Sequence, residues 1–267
     1  MFTKVYGKAQ FYATVGVIVG IVSSGIMVSF ISIEIIALIS ATICFVNVIF
    51  ALQIREKNFY SEQLDKKSTG LFDTFKQASV FIRGSGIAFI SILFVVFFAS
   101  LGGYLDEFDA LIINDFQLSN VWASVILFVR FAFVALGDIL APLVQKKISS
   151  VKQIFLLNGV GCVLLLIFAA IWNLYALPIF GLPFMIMTIT EILLVNALQN
   201  EIKEEGRATV MSFYGIGQNI AMICLSLVFA LLAEILTLQQ IYIITAIYAL
   251  VGGLCFYLFM KTIKIKT

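Results

Sequence analysis

The apolar runs of this chain sort its basic residues onto one side. Eight runs reach the roughly 20 residues that a helix rising about 1.5 Å per residue needs to cross the hydrocarbon core of a bilayer. They are A (9–29), B (33–53), C (84–113), D (120–142), E (151–171), F (174–198), G (208–232) and H (238–260). With the connections assigned alternately to two sides, sixteen of the seventeen Lys and Arg residues fall on one of them. These are Lys4 and Lys8, the six from Arg55 to Arg83, Lys146, Lys147 and Lys152, Lys203 and Arg207, and Lys261, Lys264 and Lys266. The other side holds Glu34, Asp115 and Glu234, with Asp106, Glu107 and Asp109 close by. Basic loops stay in the cytoplasm. The pattern predicts an all-α polytopic protein of the cell membrane with eight transmembrane helices and both termini cytoplasmic.

Composition narrows the function. Charged residues make up 12% of the chain, against about 25% in an ordinary soluble domain. The longest polar segment, Gln53 to Arg83, is too short to bury a core of its own. Run A is a full span with no cleavage site after a short apolar stretch, so it is not a secretory signal. There is no histidine, which removes the usual neutral-pH proton carrier and leaves proton chemistry to carboxylates. Cys44, Cys162, Cys224 and Cys255 lie inside runs without metal-ligand spacing and read as packing residues, so neither a metal nor a cofactor is expected. No Gly-rich phosphate loop and no exposed basic–aromatic patch is present, which argues against a nucleotide-driven pump and against nucleic acid binding. With no nucleophile motif either, an enzyme has no visible chemistry.

The two ends of the chain echo each other. Gly7-Lys8-Ala9 precedes span A with Gly16 nine residues after Gly7, and Gly206-Arg207-Ala208 precedes span G with Gly215 nine residues after Gly206. Each pair of spans that follows ends in a basic segment. The chain then divides into 1–53, the last two helices of one half; 54–83, a cytoplasmic linker; 84–260, a complete six-helix half; and 261–267, a cytoplasmic tail. Leu64, Leu71, Phe72 and Phe75 give the linker the pattern of an amphipathic surface helix.

Span A carries Gly16-Val17-Ile18-Val19-Gly20-Ile21-Val22-Ser23-Ser24-Gly25. This is similar to the antiporter motif of helix five of the major facilitator superfamily, Gly-x3-Gly-Pro-x2-Gly-Gly. Gly16, Gly20 and Gly25 match, Ile21 replaces the Pro and Ser24 replaces a Gly. Small residues four apart also let two helices approach closely, and as a packing motif these glycines need no transport role. The D–E connection resembles the family's loop motif, Gly-x3-Asp-Arg-x-Gly-x-Arg/Lys-Arg/Lys: Gly137, Lys146 and Lys147 match, while Ala141, Pro142 and Val144 do not. An ordinary positive-inside anchor explains the same lysines. The resemblance implies twelve helices in two six-helix halves, rocking about a midplane site. Spans A to H then stand for helices five to twelve, the first four helices are absent, and a complementary N-terminal fragment is an expected partner.

Ionisable groups inside a membrane cost roughly 2.5–3.5 kcal/mol each at a helix centre. Arg130 lies near the middle of span D and calls for a polar cavity or a partner. Glu191, in span F, is close enough in depth to pair with it if D and F share a face, and the resemblance places C, D, F and G around the cavity. Asp138, nearer the cytoplasmic rim, reads as a solvated rival. The acids after Gly102-Gly103 sit where span C is expected to continue as a helix to Ile113, with Asp106 and Asp109 sharing a face at i, i+3. They form either an acidic wall that attracts a cation or carries a proton, or a helix end in headgroup water. Most of the 26 phenylalanines are expected to face lipid. The reading is a secondary transporter, a proton-linked exporter of a small organic solute, with Glu191, Arg130, Asp106 and Asp109 as substrate or coupling groups. The alternative is a non-transporting membrane scaffold or partner subunit in the lipid bilayer.

Overall fold

A computed structural model describes residues 2–53, 76, 80, 84–94, 97–98, 100–119, 121–148, 150–202 and 207–262. The linker at 54–75 with its amphipathic pattern, the Gly206 motif and residues 263–267 of the tail lie outside these residues. The described chain is helical, without a strand: α1 (Phe2–Met27), α2 (Ile33–Gln53), α3 (Gly86–Phe94), α4 (Ser100–Asp106), α5 (Ile112–Asp115), α6 (Val121–Gln145), α7 (Val151–Ile171), α8 (Leu177–Glu201), α9 (Arg207–Ala233) and α10 (Leu238–Thr262). Seven of the described helices are long and apolar enough to cross a membrane. This is the architecture of a polytopic membrane protein.

Span C departs from expectation. Its first part is α3, residues 97–98 form a wider π-type turn, and α4 ends at Asp106 rather than running on to Ile113. A 3₁₀ turn at Asp109–Leu111 and the short α5 follow. Gly102 and Gly103 weaken the helix just before its end. Phe108 then stacks on Phe229 of α9 at 3.7 Å between ring centroids, and Asp109 turns its carboxylate into the bundle. Two tertiary contacts on adjacent residues override the local helix. Span A is longer than its apolar run suggests: α1 begins at Phe2 and takes in the polar residues Thr3, Tyr6 and Gln10.

The centre of the bundle is α8, packed against α6 on one side and α7 on the other. Glycines make this possible. A side chain at Gly137 of α6 would lie 2.7 Å from the Met185 carbonyl oxygen, and one at Gly161 of α7 would meet Ile186 at 3.1 Å. Small residues at such crossings replace the hydrophobic drive that lipid cannot supply. Asn158 of α7 accepts from the Thr190 hydroxyl of α8 at 3.1 Å, a bond inside the membrane that contributes about 0.6 kcal/mol.

A group of the phenylalanines packs inward instead of toward lipid. Phe94, Phe98, Phe155, Phe168, Phe180 and Phe256 are buried, joined by edge and tilted contacts such as Phe94–Phe155 at 5.5 Å and Phe168–Phe180 at 4.8 Å. They tie α3, α7, α8 and α10 into one core. At the far end from the termini, Trp172 closes α7 in a left-handed conformation and donates from Nε1 to Asp115 at 3.0 Å. By contrast α2 has no buried residue.

Candidate functional site

Two polar clusters lie inside the bundle. The first is built around Arg130, 3% exposed in the middle of α6. Its guanidinium donates to the Asp109 carboxylate and to the Gly102 carbonyl, so the broken end of span C is pinned to α6. The Tyr242 hydroxyl of α10 donates to the other oxygen of Asp109. The ring of Phe184 covers the guanidinium, with its carbon 3.9 Å from the ring centroid. Asp106 is looser, its side chain 36% exposed and 3.7 Å from Arg130. Asp109 is thus a fully paired counter-ion, and Asp106 is a second, half-open acid at its edge.

The second cluster joins α1, α6, α8 and α9. Glu191, half-buried on α8, accepts from the Tyr214 hydroxyl of α9 at 3.2 Å. Asp138 of α6 is 2% exposed and accepts from the Thr14 hydroxyl of α1 at 2.9 Å. The two carboxyls lie within electrostatic range of each other and of Tyr6, whose hydroxyl accepts from Gln10 at 2.9 Å. Both ion pairs among the described residues belong to Arg130, so neither carboxyl of this second cluster has a cation there.

Three sequence expectations change here. Arg130 pairs with Asp109 and Asp106, not with Glu191. Asp106 and Asp109 do not share a helix face, because the helix stops between them. Asp138 is not solvated, because α1 covers it. Thr14 is the residue that sequence reasoning passed over; Tyr214 enters as the hydrogen-bond donor to Glu191. A signal existed for Thr14: Thr3, Gly7, Gln10 and Thr14 recur every three or four residues in α1, a small and polar stripe where the helix meets protein.

The glycine motifs separate by position. Gly25 abuts the Ser124 side chain of α6, and a side chain at Gly7 would lie 2.6 Å from the Asp138 carbonyl oxygen. At Gly16 and Gly20 a side chain would meet nothing described within 4 Å. Gly137 sits in the α6–α8 crossing rather than in a loop, while Lys146 and Lys147 are exposed in the turn after α6.

The profile of the BT1 family matches residues 9–267. The chain belongs to the BT1 family. No curated protein and no solved structure matches it. BT1 is a transporter family distinct from the major facilitator superfamily, and the match overturns the resemblance to the latter. The motifs that suggested it were partial, with Ile21, Ser24, Ala141, Pro142 and Val144 all departing from the patterns. Short glycine spacings recur in membrane helices whatever their family. The antiporter reading of Gly16, Gly20 and Gly25 falls with the resemblance, and so does the view of the chain as helices five to twelve of that superfamily.

Proposed function

We propose that this BT1-family protein is a secondary active transporter that moves a small solute in exchange with, or together with, protons. Glu191 is the group that carries the coupling. The observation behind this is a carboxyl group inside a transmembrane helix whose partner is a tyrosine hydroxyl rather than a cation. A half-buried carboxyl with no cation among the described residues exchanges its proton in place of a salt bridge, which is what coupling asks of it. Arg130 with Asp106 supplies the complementary polar surface toward the other end of the bundle. In this reading α3 and α4 together make the eighth crossing, and both termini lie on the basic, cytoplasmic side of the cell membrane.

The test uses proteoliposomes that contain the full chain and a trapped pH dye. Addition of solutes from a panel of small organic acids, bases and neutral compounds should produce proton movement for at least one of them. Glu191→Gln should abolish that movement while the protein stays folded. Movement unchanged in the variant would remove Glu191 from the coupling path. A flat response to the whole panel would favour the non-transporting scaffold.

A further inference from the structure

The Thr14 hydroxyl has one proton and two acceptors. One is the Gln10 carbonyl of its own helix at 3.0 Å; the other is Asp138 across the seam between α1 and α6 at 2.9 Å. An ionised Asp138 attracts that proton more strongly than a neutral carbonyl does, since charge-assisted hydrogen bonds are roughly twice as strong as neutral ones. A protonated Asp138 leaves it to Gln10 and keeps only a neutral bond to the Thr14 oxygen.

This bond sits at a close approach of the two helices. Gly7 packs directly on the Asp138 carbonyl there. Toward the other end of the same seam Gly25 abuts the Ser124 side chain, beside an open groove of about 560 Å³ lined by Val22, Ile26, Val121 and Phe128. Among the described residues, Thr14 and Tyr6 from α1 and Tyr214 from α9 face Asp138 and Glu191, and each carboxyl faces the other. Ser91 of α3 lies one turn beyond a residue of the neighbouring core cluster. Ala88, one turn before it, packs with Val195 and Tyr214. Ser91 therefore stands about one turn along the antiparallel α8, at the depth of Glu191, and its hydroxyl is fully buried without a partner among the described residues.

We propose that Asp138 and Glu191 share a proton, and that its position sets the grip of α1 on α6. With the proton on Glu191, Asp138 is ionised and the Thr14 bond is strong. With the proton on Asp138, that bond weakens, Glu191 is ionised and accepts from Tyr214, and the seam loosens. Two like charges in one dry cluster disfavour the doubly ionised state, so the pair titrates as a unit. Asp138 is in this account a positioning residue that acts through Thr14. The idea rests on the proton-coupled reading for its purpose, but its test needs no transport.

The full chain in lipid nanodiscs is followed by hydrogen exchange of the α1 amides at matched pH, detected by mass spectrometry. Glu191→Gln, which keeps site 191 neutral, should slow exchange of residues around Thr14, and Asp138→Asn should speed it, each by about fivefold, with the double variant resembling Asp138→Asn. Thr14→Val should remove the difference between the two backgrounds, and Thr14→Ser should restore it. Single variants that shift α1 in the same direction, or a difference that survives Thr14→Val, would overturn the proposal. Loss of solute-driven proton movement alone would count against the transport reading and leave the seam result standing.

Discussion

The Arg130 cluster and the Glu191 cluster bury charge by opposite means. Around Arg130 a cation is matched by an acid with no exposed surface, a tyrosine hydroxyl, a backbone carbonyl and an aromatic face. Around Glu191 two acids meet, among the described residues, hydroxyl groups from two neighbouring helices, α1 and α9. The first arrangement is costly to break because removal of either partner strands the other in a low-dielectric interior. The second has no partner to strand, since its charge is removable by a proton. A membrane protein that needs one rigid point and one responsive point has reason to keep them apart in this way.

One chemical change made in both places would expose the difference. Asp109→Asn keeps the shape but takes the inner negative charge from Arg130 and turns one accepting oxygen into a donor, leaving, among the described residues, only Asp106 at 3.7 Å. A loss of about 3–5 kcal/mol is expected, read from thermal unfolding in nanodiscs. Pairing it with Arg130→Met should recover most of that loss, because a matched apolar pair strands no charge. A single variant as stable as the parent would mean that Arg130 does not depend on Asp109. Arg130→Lys should cost less, about 2 kcal/mol: the charge stays, but one ammonium does not serve Asp109, Gly102 and the Phe184 face together. In the other cluster, Tyr214→Phe should cost about 1 kcal/mol, the net value of one hydrogen bond. A cost as large as that of Asp109→Asn would show that the second cluster is also a structural anchor.

Much of the fold was legible because spanning helices announce themselves by length and apolarity, which is how α2, α6, α7, α8, α9 and α10 stood out. The break in span C did not, since Phe108 and Asp109 leave the helix for partners on α9 and α6 that no local pattern names. The partner of Arg130 was misread for the same reason. An unbroken span C leaves Asp109 at the membrane edge, whereas the turn after Asp106 carries it inward to Arg130. Asp138 looked exposed because its cover, Thr14, lies 124 residues away in sequence. The phenylalanines of the core and those facing lipid have the same composition, so only packing separates Phe168 from the exposed Phe45.

The smallest expected effect carries the sharpest contrast. Glu191→Gln makes the same carboxyl-to-carboxamide change as Asp109→Asn, on a residue inside a helix rather than in a turn. The amide oxygen still accepts from Tyr214, no cation among the described residues loses a partner, and the repulsion toward Asp138 disappears. Unfolding should therefore shift by less than about 0.5 kcal/mol, in either direction, with the loss confined to proton-dependent behaviour. If Glu191→Gln instead destabilised the protein by as much as Asp109→Asn, the carboxylate would be paying its way as a structural charge. A partner for it would then have to be sought in the cytoplasmic segments that carry the basic residues.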